Sequence, residues 1–238
     1  MKSNTRRFIT IVAISLGLMM PLNMAFADPE SFKELSVEWW QWALSIPTSE
    51  NPLLDTTGGK CVVGQRGSVW FLAGIFGGGT VTRTCSVPAN KILYFPVINS
   101  VNFNTPNVCG QGPDNISVKD LRALSAAFIN GAINLSVEVD GKAIKNLRRI
   151  QSQVFEVALP EDNVFDAPCA GLGNVPAGIY SPAVDDGFYV RLNPLEIGNH
   201  TLHFHADGPD GSIQDITYTL TVVPVLLKQW PIAWPFSP

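Results

Sequence analysis

Val69-Trp70-Phe71-Leu72-Ala73, the glycine-rich corner Gly74 to Gly79, then Val81-Thr82-Arg83-Thr84-Cys85 and Ile92-Leu93-Tyr94-Phe95 decide the reading of this chain. Short apolar or alternating runs separated by glycines predict three consecutive antiparallel strands. In the middle run Val81 and Arg83 point one way, Thr82 and Thr84 the other. The outer two are apolar on both sides, so both of their faces should be covered. None of these residues forms a catalytic signature.

Working outward, the strand signals continue downstream. Leu135 to Val139, then Asp140-Gly141, then Lys142 onward is a hairpin pattern, because Asp-Gly supplies the turn that matches strand twist. Gln153 to Leu159 and Phe188 to Leu192 add further strands. In His200 to Ala206, Leu202 and Phe204 face inward. In Ile216 to Val222 apolar residues alternate with outward threonines, and Asp207-Gly-Pro-Asp-Gly211 turns between the two. Asn99 to Asn115, rich in Asn, Gly and Pro, reads as a long loop.

Two short helices accompany the strands. Asp28-Pro29-Glu30 supplies a cap, a first-turn proline and an acid, and Pro47 ends that helix. Phe32, Leu35, Trp39, Trp42, Ala43 and Ile46 form one stripe, with Val37, Trp40 and Leu44 beside it. Only Glu34, Glu38, Gln41 and Ser45 are clearly polar, so the helix is covered on two sides or lines a pocket. Ser117 to Asp120 is a capping box opening a second helix, with Val118, Leu121, Leu124 and Phe128 on one face and Gly131 closing it. The fold class that follows is mostly β: an antiparallel β-sandwich with two short α-helices, immunoglobulin-like from about Asn134 onward. Residues 28–224 make the sandwich domain, with a sub-boundary near residue 132 if the two halves fold separately.

The ends read differently. Lys2, Arg6 and Arg7, the apolar run Phe8 to Met20 and Ala25-Phe26-Ala27 predict a signal peptide over residues 1–27. Its three basic residues take the formal charge from −4 to −7 in the mature chain. That acidity argues against nucleic-acid partners, and no later stretch is apolar for long enough to anchor in a membrane. Residues 225–238 form a Pro/Trp-rich tail. Export to a secreted or periplasmic location suits the four cysteines, Cys61, Cys85, Cys109 and Cys169, as two disulfides. Three pairings exist, and Cys61–Cys85 with Cys109–Cys169 is the favoured one.

Four strings carry a resemblance: Trp39-Trp-Gln-Trp-Ala-Leu-Ser-Ile-Pro47, Asn51-Pro-Leu-Leu-Asp-Thr-Thr-Gly58, Val69-Trp-Phe-Leu-Ala-Gly74, and Ser181-Pro-Ala-Val-Asp-Asp-Gly187 leading to Gly198-Asn-His-Thr-Leu202. Together they resemble a family of uncharacterised exported bacterial β-rich proteins, over nearly all of the mature chain. The resemblance implies export and brings no activity or functional residues.

Three chemistries compete. Trp39, Trp40 and Trp42 suggest stacking on a sugar ring, set against ordinary helix-to-sheet packing. This supports an exported non-catalytic binding or envelope protein, with a glycan or envelope component as partner and no cofactor. His203 and His205 share one face of a strand, and Asp215 on the next strand reaches them in suitable registers, a donor set for a transition metal and a metal-dependent enzyme. Asp185-Asp186 and Asp207 with Asp210 read as acidic turns able to hold Ca²⁺. No nucleophile elbow or phosphate loop is present, and scattered carboxylates localise no hydrolase.

Overall fold

The computed structural model describes residues 32–225. The signal segment 1–27, the predicted helix start at Asp28-Pro29-Glu30 and the tail from residue 226 onward lie outside the described residues. In chain order the elements are α1 (Phe32–Leu44), β1 (Val69–Phe71), β2 (Gly79–Pro88), β3 (Ile92–Phe103) and α2 (Val118–Asn130). There follow β4 (Ile133–Val139), β5 (Lys142–Ala143), β6 (Arg148–Gln151), β7 (Phe155–Leu159), β8 (Gly178–Leu192), β9 (Gly198–Asp207) and β10 (Ile213–Val223).

The chain is mostly β, with two helices and two mixed sheets forming a sandwich. One sheet runs β1-β3-β8-β6, with β7 also on β8; the other runs β2-β10-β9-β4-β5. Helix α1 covers the outer face of the first sheet, which makes that sheet a middle layer. Leu93, Phe95, Val97 and Val190 therefore face the second sheet, where the Phe95 and Phe204 rings lie 4.9 Å apart. Tyr94, Tyr189 and Ala183 face the other way and pack with Trp39, Trp40 and Ala43 of α1. The two-sided apolarity of β1 and β3 has this origin.

The expected run of three antiparallel strands is corrected. β1 and β3 are parallel neighbours, and β2 crosses to the other sheet, where it lies parallel to β10. Its strict alternation explains the placement: Val81, Arg83, Cys85 and Val87 are buried, and Thr80, Thr82, Thr84 and Ser86 exposed. Such a strand belongs in a sheet with one wet face, and the middle layer has none. The Gly74 to Gly79 corner is thus a sheet-to-sheet crossover rather than a hairpin turn.

Strand pairing also crosses residue 132, because β2 joins β10 and β3 joins β8. Residues from 134 onward contribute β6, β7 and β8 to one sheet and β4, β5, β9 and β10 to the other, and β1, β2 and β3 from the first half complete the two sheets. Strand β3 continues through Phe103, so Asn99 to Phe103 is sheet rather than loop. In α2, Ser117 Oγ accepts from Asp120 N as the capping box requires. The buried stripe, however, is Leu121, Ser125 and Ile129, with Leu124 51% exposed. Ser125 turns inward because its hydroxyl accepts from Asn102 Nδ2 at 2.8 Å. Asp140 and Gly141 both have positive φ, 52° and 71°, the hairpin geometry that Asp-Gly favours.

The disulfides are Cys61–Cys85 and Cys109–Cys169, the favoured pairing, with sequence separations of 24 and 60. Restriction of the unfolded chain grows slowly with loop length. Serine replacement of both cysteines is expected to cost about 3 kcal/mol for the shorter loop and about 4 for the longer. Urea midpoints of the two double variants check the values and their order.

Candidate functional site

A cleft of about 280 Å³ opens where the crossover corner, the middle of β3, α1, α2 and the β9–β10 turn meet. Trp39 and Trp40 give it edges, Phe76, Phe128 and Phe165 give it aromatic walls, and Asn99, Ser100 and Gln214 give it polar groups. Each element is placed for a local reason. Pro96 lacks a donor and would break a central ladder; the β3–β8 register shifts between Pro96 and Ile98, and this irregularity forms the cleft wall. The corner is clamped by Gln214, whose Oε1 accepts from Ile75 N at 3.0 Å and whose Nε2 donates to Ile75 O at 2.8 Å. Gly74 permits that clamp, since a Cβ there would meet Gln214 Oε1 at 2.8 Å.

Behind this wall lies a buried acid. Asp185 Oδ1 accepts from Trp40 Nε1 at 2.7 Å and from the Tyr189 hydroxyl at 2.9 Å. Asn99 Nδ2, at the cleft, donates to the same Tyr189 oxygen at 3.1 Å. Asp185 Oδ2 is buried and has no hydrogen-bond partner. Burial pushes the Asp185 carboxyl up to about 8; the bonds from Trp40 and Tyr189 oppose that, and the neighbouring Asp186 charge adds to it. Tyr189 is pushed well above the usual phenol range, first by burial and then by Asp185. Asp186 is paired instead: Arg149 donates Nε to Oδ1 at 2.9 Å and Nη2 to Oδ2 at 2.8 Å, and Gln151 adds a bond at 3.0 Å.

This corrects the reading of Asp185-Asp186 as an acidic turn, and Gly187 follows them in the same strand. The three residues lie inside β8, and both acids are 1% exposed. Gly187 is there for close approach, as a Cβ would meet Asn99 Cβ at 2.6 Å. The other acidic pair is engaged locally. Asp207 accepts from Asn134 Nδ2 at 2.6 Å, and Asp210 accepts from Ser212 N at 3.0 Å and from its hydroxyl at 2.6 Å.

The three tryptophans are core residues, 1%, 5% and 8% exposed for Trp39, Trp40 and Trp42. Their indole N–H groups donate to Leu72 O, Asp185 Oδ1 and Val63 O. The helix is therefore no open stacking platform: Trp39 and Trp40 reach the cleft while packed into the core.

The structure does bring His203, His205 and Asp215 together. His205 pairs directly with Asp215 and His203 with Thr217. His203 Nε2 lies 2.8 Å from Asp215 Oδ1, His205 Nδ1 lies 3.6 Å from the same oxygen, and His205 Nε2 lies 3.1 Å from Asp207 Oδ1. The His203 hydrogen bond holds the Asp215 carboxyl below its ordinary value. This is a row of histidine–carboxylate contacts along the wet sheet face, with one hydrogen bond, between His203 and Asp215. Among the described residues no three His, Cys, Asp or Glu side chains are arranged to hold a metal ion. Among the same residues no helix is long and apolar enough to cross a membrane.

Sequence reasoning missed Asn99 and Gln214, and singled out Asp185 as part of an acidic turn rather than as a buried acid. The available signal for Asp185 was its flanks, Pro182-Ala-Val and Phe188-Tyr-Val, apolar on both sides like the middle-layer strands. No family model matches the chain, and neither curated proteins nor solved structures provide a match.

Proposed function

We propose that this is an exported, non-catalytic binding protein of the cell envelope, and that its cleft takes a single sugar ring or a polar ring of similar size. The observation that carries the reading is the cleft composition: aromatic walls from Phe76, Phe128 and Phe165 beside the carboxamide of Asn99 and the hydroxyl of Ser100. Aromatic faces pack on the apolar face of a sugar while a few placed polar groups fix its hydroxyls. The volume of about 280 Å³ sits near the lower end of ligand pockets, which suits one ring. Two disulfides and the N-terminal segment support export, as does the resemblance to exported bacterial proteins.

Trp39 and Trp40 at the cleft provide the assay. Titrating mature protein with a panel of mono- and disaccharides and envelope glycans is expected to change indole emission saturably for at least one member. Asn99→Ala should then weaken that ligand about tenfold, the usual cost of one hydrogen bond. A panel silent in both fluorescence and calorimetry rejects the carbohydrate reading.

A further inference from the structure

The charge at the cleft restricts what the cleft can hold. Among the described residues that line it, Asp210 alone carries a formal charge, and none is a lysine, arginine or histidine. Of the uncharged polar groups, Gln214 is already engaged at both amide atoms by Ile75. Asn99, Ser100 and Ser212 remain. The ionisable group linked to the cleft from behind, through Tyr189 and Asn99, is a second acid, Asp185.

Asp210 is held at the rim by the β9–β10 turn. Gly208 N donates to Ser212 O at 2.8 Å, and Gly211 N to Gly208 O at 3.2 Å. The carboxylate accepts from the Ser212 hydroxyl at 2.6 Å and from Ser212 N at 3.0 Å, both at Oδ1. Those bonds hold the Asp210 carboxyl below its ordinary value, so it is ionised throughout the neutral range. They leave the second oxygen for a ligand.

Two close approaches set this carboxylate beside an aromatic ring. At Gly131, which closes α2, a Cβ would meet Pro209 Cβ at 2.6 Å, so the turn packs directly on the end of that helix. At Gly208 a Cβ would overlap Ser212 Oγ and meet Asp210 Oδ1 at 2.9 Å and Phe128 Cζ at 3.3 Å. The carboxylate and the tip of the Phe128 ring therefore converge on one point. Elsewhere in the lining the Phe76 and Phe165 rings stand edge to face, 5.6 Å apart. An ammonium gains from a carboxylate and from aromatic rings at once. An acidic ligand would meet a like charge, with no cation in the lining to offset it.

We propose that the cleft selects a ring bearing a protonated amine, an amino sugar with its nitrogen unacetylated, over neutral and acidic sugars. The ammonium bonds Asp210 at the rim beside Phe128, and the ring packs on the aromatic walls. This rests on the sugar-binding reading and narrows it. Asp210 is exposed, so solvent screens its charge and the preference amounts to about fivefold.

The test is calorimetry of the mature chain with glucosamine, glucose, N-acetylglucosamine and glucuronate at about pH 6, where an amine is charged. Glucosamine should bind about fivefold tighter than glucose or N-acetylglucosamine, with glucuronate the weakest. Added salt should shrink the glucosamine advantage. Asp210→Asn keeps the oxygen that Ser212 bonds, and within that variant glucosamine and glucose should bind alike. Equal binding of glucosamine and glucose by the native chain, tighter binding of glucuronate, or an undiminished glucosamine advantage in Asp210→Asn each overturns the proposal and leaves sugar binding standing. Binding of none of the four also overturns it, and the sugar-binding reading is then decided by the wider glycan panel.

Discussion

Replacing Asp185 by asparagine is expected to leave stability nearly unchanged at pH 4 and to raise it by several kcal/mol at pH 8. The sign follows from linkage. The folded carboxyl titrates near 8, against an ordinary value of 3.8 in the unfolded chain. Below pH 4 it is protonated in both states and costs nothing. Between 4 and 8 the unfolded chain releases a proton that the folded chain keeps, so this group lowers stability by about 1.4 kcal/mol per pH unit. Above 8 both states are ionised and the loss levels off. Asparagine resembles the protonated acid in shape, and its oxygen still accepts from Trp40 and Tyr189. Its amide puts a donor group at the position of Oδ2, the buried oxygen without a hydrogen-bond partner. Alanine instead strands the Trp40 N–H and Tyr189 O–H and opens a void, so it should lose about 2–4 kcal/mol at both pH values. Guanidinium unfolding of the three proteins at pH 4 and pH 8 decides the matter. Parallel stability curves for the native chain and Asp185→Asn would show that the buried carboxyl does not hold its proton.

Much of this architecture was written in local patterns, and the exceptions have physical causes. Thr217, Thr219 and Thr221 alternating with apolar residues gave the edges and faces of β10, because one face of that sheet is wet. The Asp-Gly hairpin was equally plain, since two consecutive positive φ angles admit few other residues. Partnering was not legible. Whether β1, β2 and β3 lie in one sheet depends on which layer can accept each burial pattern, and that is a property of the whole sandwich. β8 was half seen: two adjacent acids looked like a turn, and only a tryptophan supplied from a distant helix, joined by a tyrosine four residues on in the same strand, makes a buried carboxyl tolerable there. The cleft was hidden for the same reason. Asn99 sits in a run of loop-forming residues, and Gln214 is a strand residue like its neighbours until Ile75 is brought against it.

Arg83→Ala is expected to be the most destabilising single change, by about 4 kcal/mol or more, with a fall in melting temperature of about 8–16 °C for a chain of this size. Arg83 lies on the buried face of β2 at 1% exposure. Its charge is met by oxygens rather than by a carboxylate pair: Nε donates to Asp55 O at 2.6 Å, and Nη1 to Ala73 O at 2.7 Å, Gly74 O at 2.9 Å and the Tyr218 hydroxyl at 2.9 Å. The guanidinium thus ties the 51–58 loop and the crossover corner to β10, three segments with no strand pairing in common. Removing it leaves three buried carbonyls without this donor and a side-chain-sized cavity, costs that add. Arg83→Met fills the volume without the donors and should recover only the cavity part. Arg83→Lys keeps the charge but not the fork that reaches several oxygens at once, so it should fall between the two. Gly74 also borders the cleft, so the variants should weaken cleft binding in the same order as they lower the melting temperature. Melting temperatures falling by less than 2 °C in Arg83→Ala would mean that the corner is held by Gln214 and Ile75 alone.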